Sequence, residues 1–442
     1  MNKLPLFVEK YLEKYSIRDW DLEASQDKKF DNIIVIPAIS ELENIKFLLA
    51  SLMHNDISCI HKTLIIFVIN NLALSEEKAK QDNFKTIEYL KNIILNKPSD
   101  DLAERLGESK FNFGIIDAAS SGKELPENNG GVGLARKIGM DIALTIFDYA
   151  SDDKKILICT DADCTFQDNY LSEIIDQFNK QSLSAAVINY EHNISGNDEN
   201  TKAIICYEFY LRYYVLGLKY AGSPYAFHTI GSTIVCDHES YIKAEGMKKR
   251  KAAEDFYFLQ KLAKISNIKK ISSTTVYPSN RTSWRVPFGT GQRVGRFLSK
   301  ERDEYKLYDP EIFGVLKQWL GALNKNYTLL SDYLSESERI HPQLYKFLIK
   351  QEFDKDFSRI LNHAKDEKQL NLQKKQWFDG FRTLKFIHHL RDNSFPEINT
   401  FVAIDRLFEK MEISCNIERE KGSIPELPVQ KEYLELLRKL DK

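Results

Sequence analysis

The stretch Lys155-Ile-Leu-Ile-Cys-Thr-Asp161-Ala-Asp163-Cys164 runs an apolar, strand-like segment straight into two aspartates one residue apart. Two carboxylates at the carboxyl edge of a sheet, with no cation among them, are costly unless a positive charge sits between them. A hard divalent cation carrying a nucleotide diphosphate supplies that charge, because such ions favour carboxylate and phosphate oxygens. A solvated acidic turn is the other reading of the same spacing. A second acidic feature is Lys248-Lys-Arg-Lys251-Ala-Ala-Glu254-Asp255-Phe-Tyr-Phe-Leu259, in which a basic run precedes two acids. It reads either as a solvated ion-pair cluster or as a carboxylate able to take a proton from a hydroxyl within hydrogen-bond reach. The basic run could steer an anionic substrate toward such a site.

Three further segments carry chemistry-bearing residues. Gly130-Gly131-Val-Gly133-Leu-Ala-Arg136 puts Arg136 where a dinucleotide-binding G-x-G-x-x-G needs its last glycine, and it follows the third strand instead of the first. Its glycines permit close backbone approach at a helix N-terminus, where a negative group is favoured; Arg136 in a surface ion pair is the plainer reading. Pro278-Ser-Asn-Arg281-Thr-Ser-Trp284-Arg285-Val-Pro-Phe-Gly289-Thr-Gly291-Gln292-Arg293 surrounds three arginines with glycine and proline. Arg281, Arg285 and Arg293 could bind a diphosphate under a closing loop, or sit exposed on a connector. Pro37 ends the apolar run 33–36 and sends Ser40 and Glu41 over the sheet edge. There Ser40 would also serve as a helix N-cap, with Glu41 in the first turn.

For these groups to meet, strands must deliver them to one edge. The apolar runs 33–36 and 64–69 and the segments 111–117, 155–160 and 185–190 predict strands. Between them Ile45, Leu48, Leu49 and Leu52, the stretch 75–95, and Leu134, Ile138, Ile142 and Ile146 have helical spacing. Strands alternating with helices predict an α/β fold, a mostly parallel sheet flanked by helices, with the site at the carboxyl ends of the strands. The aromatic stretch 207–214 reads as a helix packed in a core or interface. Beyond Lys300 the helix-spaced segments 311–323, 344–353, 357–363, 372–389 and 433–440 predict an all-helical region. The expected division is a helical extension at 1–30, the α/β domain at 31–300 and a helical C-terminal domain or cap at 301–442.

A chain of 442 residues suits two or three domains. With 62 basic and 64 acidic residues the net charge is −2, which excludes a dedicated nucleic-acid binder. An apolar fraction of 43% excludes global disorder. The longest apolar run, 64–69, is far short of the ~20 residues of a membrane-spanning helix, and the first thirty residues hold no apolar signal-peptide core. Six cysteines without a C-x-x-C pair read as free thiols in a reducing compartment. These features together predict a cytoplasmic protein.

Taken in order, IPAISELEN, NNGGVGLARKIGMD, ICTDADC, HTIGSTIVCDHESYIKAEGM and AAEDFYFLQKL resemble the family-2 type of nucleotide-sugar-dependent glycosyltransferases with the GT-A fold, a Rossmann-like sheet, over residues 31–300. The resemblance implies transfer of a sugar from a nucleotide-diphosphate donor to an acceptor hydroxyl, with inversion, assisted by Mg²⁺ or Mn²⁺. It implies that the loop from Pro37 through Ser40 and Glu41 lines the nucleotide pocket, and that Asn70 stands where the family has an acidic nucleoside-gripping residue. Gly131 and Arg136 would border the donor. Asp163 would bind the metal, and Asp161 the ribose or a metal-bound water. Gly231 and Ser232 would form the floor of the sugar and acceptor pocket. Some members complete the metal site with a downstream histidine, for which His228 and His192 are the candidates; a structural histidine is the plainer reading of each. Asp255 would be the catalytic base with Glu254 beside it. The acceptor is open among glycans, lipid-linked sugars and small molecules, and peripheral contact with the inner face of a membrane is allowed by the basic run and the C-terminal aromatics. The chain lacks the Q-x-x-R-W sequence of processive synthases. Two alternatives stay open: a non-catalytic nucleotide-sugar sensor or scaffold, and a sugar-nucleotide pyrophosphorylase, which is disfavoured because PAISELEN lacks glycine.

Overall fold

The computed structural model describes residues 4–24, 28–109, 111–281, 289–325 and 327–442. The chain divides into two compact units, one of residues 1–193 with 229–292 and one of residues 194–228 with 293–442.

The first unit is built on a nine-stranded sheet: β1 (Leu22–Ala24), β2 (Asn32–Ala38), β3 (Thr63–Asn70), β4 (Asn112–Ala118), β5 (Ile156–Cys159), β6 (Cys164–Phe166), β7 (Ala185–Tyr190), β8 (Ile234–Asp237) and β9 (Lys269–Pro278). Their spatial order is β1-β4-β3-β2-β5-β8-β7-β9-β6. Strands β4, β3, β2 and β5 run parallel, as do β7 and β9, while β8 is inserted antiparallel to both β5 and β7. The short strands β1 and β6 close the edges antiparallel. The sheet is therefore mostly parallel, as the strand and helix alternation predicts. Every residue of β2 and β3 is buried, which is why these strands read as unbroken apolar runs instead of alternating ones. Gly139, on the helix Val132–Ile146, lets that helix settle directly on the sheet: a Cβ there would lie 2.4 Å from Val35 and 2.9 Å from Val68.

Two local expectations are corrected. β2 does not stop before Pro37 but continues to Ala38, with Pro37 opposite Val68 of β3. Pairing with β5 has already ended at Val35 opposite Cys159, so the residue lacking an N–H has a strand neighbour on one side only. Ser40 is not the N-cap of the following helix Leu42–Leu52. That position belongs to Glu41, while Ser40 adopts φ +55° and donates its N–H to the Asn83 side chain at 2.8 Å. The first thirty residues contain the helix Leu6–Tyr15 and also the edge strand β1.

Among the described residues the second unit is helical apart from one two-stranded pair, Lys306–Leu307 with Ile398–Asn399. The aromatic stretch lies in the helix Glu199–Tyr220, whose Phe209 and Tyr213 join Phe313, Trp319, Phe353 and Phe401 in one core. Gly217 allows contact with Phe313, whose ring would be 2.4 Å from an added Cβ. The segment expected as one helix at 372–389 is two, Glu367–Trp377 and Gly380–Asn393. Asp379 separates them by capping the second through the amides of Phe381 and Arg382. No helix among the described residues is long and apolar enough to cross a membrane. All six cysteines are free, four of them buried.

Candidate functional site

The carboxyl ends of β2 and β5, together with the start of the helix Glu254–Ile265, bring five carboxylates and two guanidiniums together in the first unit. β5 ends at Cys159, and Thr160 keeps the strand direction by donating its amide to the Val35 carbonyl at 3.3 Å. Asp161 and Asp163 follow, both half-buried, with the small, buried Ala162 between them. Arg136 stands in the first turns of the helix Val132–Ile146 and is 3% exposed. One of its terminal nitrogens donates to Asp161 and the other to Glu254, which is equally buried. Its charge is also felt by Asp255.

The other guanidinium, Arg281, follows β9 and bridges Asp163 at 3.1 Å and Glu41. Glu41 is buried at the N-cap of its helix and also accepts from the Asn44 amide at 2.5 Å. The polar tie Asn83 joins two strand ends: it accepts from Ser40 and donates to the Asn70 carbonyl at 3.0 Å and to Asn71 at 2.8 Å. Asn70 spends its own amide on the carbonyls of Ala38 and Val68, each at 3.0 Å. No motif in the sequence marks Asn83. Its only local signal is an Asn on an otherwise amphipathic helix.

These groups set one another's charge. Burial pushes the Asp163 carboxyl up to about 6, and Asp161 and Glu41 push the same way against Arg281. Asp255 is pushed up to about 7, first by burial, then by the adjacent Glu254, with Arg136 pulling it down. A carboxylic acid near neutrality can exchange a proton at physiological pH.

The glycines singled out from the sequence are filled by the protein itself. Gly131, at φ +155°, lies against Lys251, whose Cα would be 3.0 Å from an added Cβ. Gly133 faces the carbonyls of Arg250 and Lys248 and the Cβ of Glu254. The close approach permitted at this helix N-terminus is thus made by the 248–254 segment, which brings Glu254 to Arg136. Gly231 lies flat against Arg136: a Cβ would sit 2.4 Å from both terminal guanidinium nitrogens. Ser232 is buried beside the Cys164 thiol.

Two expected members belong to the second unit. His228 shares a hydrogen bond of 2.7 Å with Asp441, which also receives Arg212 at 2.7 Å and Lys219 at 3.1 Å. Arg293 pairs with Glu304 at 2.7 Å and stacks over the Tyr210 ring at 4.5 Å. Arg285 lies outside the described residues.

Among the described residues, no group of three or more His, Cys, Asp and Glu side chains forms a metal cage. Asp161 and Asp163 offer hard oxygen donors, so a divalent cation would need its remaining ligands from elsewhere, such as a diphosphate. Asp161 and Glu41 both act electrostatically on Asp163, and the cluster's five carboxylates outnumber its two guanidiniums.

No protein-family profile and no curated protein matches the chain. Among solved structures it is similar to TarS 1-349 of S. aureus, at 11% identity over 89% of this chain and 95% of that one, with a TM-score of 0.36. The UDP-GlcNAc complex of the same protein gives 13% identity over the same shares and a TM-score of 0.37. The mannosyltransferase PcManGT from Pyrobaculum calidifontis, in complex with GDP-Man and Mn2+, gives 12% identity over 98% of this chain and 88% of that one, with a TM-score of 0.38. At these scores the functional reading rests on the chain's own geometry.

Proposed function

We propose that the chain is an inverting glycosyltransferase that moves a sugar from a nucleotide-diphosphate donor to an acceptor hydroxyl with the help of Mg²⁺ or Mn²⁺. The observation that carries this reading is the continuous chain of charge from Glu41, Arg281 and Asp163, through Asp161 and Arg136, to Glu254 and Asp255. It would set an acidic station for a cation-bound diphosphate and, linked to it by charge, a second carboxylate with a proton affinity suited to a base.

In this account Asp163 and Asp161 hold the cation, which when bound offsets charge growing on the departing diphosphate. Asp255 accepts the proton of the acceptor hydroxyl as its oxygen attacks the anomeric carbon. The bond from that carbon to the diphosphate oxygen breaks on the opposite face, which inverts the centre. Glu254, paired with Arg136, stands next to the base. The loop from Pro37 to Glu41, with Asn70 behind it, borders the nucleotide.

The test is a thermal-shift screen of UDP-, GDP-, CMP- and dTDP-sugars with and without Mn²⁺. A ligand that binds only the native state raises the melting temperature by mass action. The expected result is stabilisation by a diphosphate sugar that needs the cation. Failure of every nucleotide sugar to shift the melt would overturn the reading.

A further inference from the structure

We infer that the acceptor is a polyanion, a hydroxyl-bearing chain with repeated phosphate or carboxylate groups, and that the basic run 248–251 is the surface that reads it. The inference rests on the reading of Asp255 as the base and names the substrate class that the base serves. Lys248, Lys249, Arg250 and Lys251 are all exposed. Among the described residues none of them pairs with a carboxylate, and Lys251 donates instead to the Glu127 carbonyl at 2.9 Å. Nearby lysines behave otherwise: Lys243 pairs with Glu239 at 2.9 Å and Lys261 with Glu245 at 3.1 Å. A chain whose net charge is −2 thus keeps four consecutive positive charges uncompensated beside its candidate base.

The fold fixes the backbone of this run. The Lys251 Cα and the carbonyls of Lys248 and Arg250 occupy the space where Cβ atoms on Gly131 and Gly133 would stand. The Arg250 amide donates to the Lys248 carbonyl at 2.9 Å, and Ala253 closes the segment at φ +59°, a left-handed conformation that alanine adopts only where its surroundings impose it. Like charges held together repel one another until an anion meets them. The run also leads to the base through contacts. The Arg250 guanidinium stands 3.7 Å from the centre of the Tyr257 ring, Tyr257 meets Phe256 edge-on at 5.5 Å, and the Phe256 amide donates to Asp255 at 2.7 Å. One phosphate is met by one or two cations. Four residues extend over at most ~14 Å, which is room for more than one anionic group. A nucleic acid fits less well because the chain has no basic surplus. A membrane surface fits less well because the run carries no apolar side chain to enter it.

The experiment measures binding of fluorescently labelled inorganic polyphosphate to the full chain by anisotropy, with the donor-induced thermal shift read on the same preparation. The proteins are wild type, the double variant Lys248→Gln/Lys249→Gln, and the control Lys346→Gln/Lys350→Gln, which removes the same charge from exposed positions on the helix Pro342–Lys350. Wild type is expected to bind polyphosphate and not neutral dextran. Lys248→Gln/Lys249→Gln should bind it about 10-fold or more weakly, as the loss of two charge-assisted contacts implies, and with a shallower salt dependence. The control should bind as wild type does. Polyphosphate should also inhibit donor turnover by wild type, and inhibit Lys248→Gln/Lys249→Gln less. Equal binding by wild type and Lys248→Gln/Lys249→Gln, an equal loss in the control, or binding without inhibition overturns the inference. Tighter binding of a single-stranded oligonucleotide or of phosphatidylglycerol vesicles than of polyphosphate overturns it as well. A donor-induced shift beside any of these results leaves the glycosyltransferase reading standing. Absence of a shift with every nucleotide sugar overturns that reading, and the acceptor role with it.

Discussion

Arg136 and Glu254 are 118 residues apart in sequence, yet they form a buried ion pair whose second arm ends on Asp161. That pair joins the end of a central strand to the start of the helix that carries Asp255. Removing one partner of a buried pair leaves the other charged and unsolvated. Arg136→Met should therefore cost about 3–5 kcal/mol of stability, read as a lower urea midpoint. A midpoint within error of wild type would mean the pair is not formed in solution.

Gly231 tests the same pair from the outside. A methyl group there would overlap both ends of the Arg136 guanidinium. Gly231→Ala should lower stability by about 1–3 kcal/mol through overpacking, whereas Gly295→Ala, where an added Cβ meets nothing within 4 Å among the described residues, should be close to neutral. Equal melting temperatures for the two variants would contradict the packing.

The raised proton affinity of Asp255 has a definite sign in stability. Between the ordinary carboxylate value and about 7 the folded state keeps a proton that the unfolded chain has lost. Stability therefore falls as pH rises through that window, and the deficit is complete above it. Asp255→Asn removes the deficit, so it should raise the melting temperature more at about pH 8 than at about pH 5. A pH-independent effect would show that Asp255 titrates normally. Because a base must be ionised, kcat/KM should climb with pH to a plateau above about 7.

Asp163 is held near 6, so protons compete with the cation on the acid side of neutrality. Mn²⁺-dependent stabilisation by donor should fade below about pH 6 and should vanish in Asp163→Ala at every pH. Equal stabilisation of Asp163→Ala and wild type, or stabilisation that survives a chelator, would remove the cation from the account.

Much of the first unit is legible in its sequence because β2, β3 and β7 are buried on both faces and are mostly apolar along their length. The 185–190 strand is recovered residue for residue for that reason. The antiparallel insertion of β8 between β5 and β7 leaves no local trace, since pairing is decided by contacts tens of residues apart. Ser40 has the chemistry of an N-cap, but Asn83 claims its backbone in the folded chain. Acidic residues at strand and helix ends mark the site. Their partners were not readable: Arg281 meets Glu41 across 240 residues, and the glycines around Arg136 accommodate protein instead of ligand. The buried cluster in which Asp141 accepts from Tyr11 and Tyr241 while pairing with Lys137 is equally invisible in sequence, because its members come from three separate helices.

The central claim is that Asp255 takes the acceptor proton in the cleft where Asp163 anchors the donor. The most direct measurement compares wild type and Asp255→Asn at saturating donor, with donor-induced thermal stabilisation and turnover (transfer, or slow donor hydrolysis) read on the same preparation. The account predicts unchanged stabilisation and turnover lowered by about 10²–10⁴-fold, the usual contribution of a positioned base. Turnover equal to wild type would contradict it.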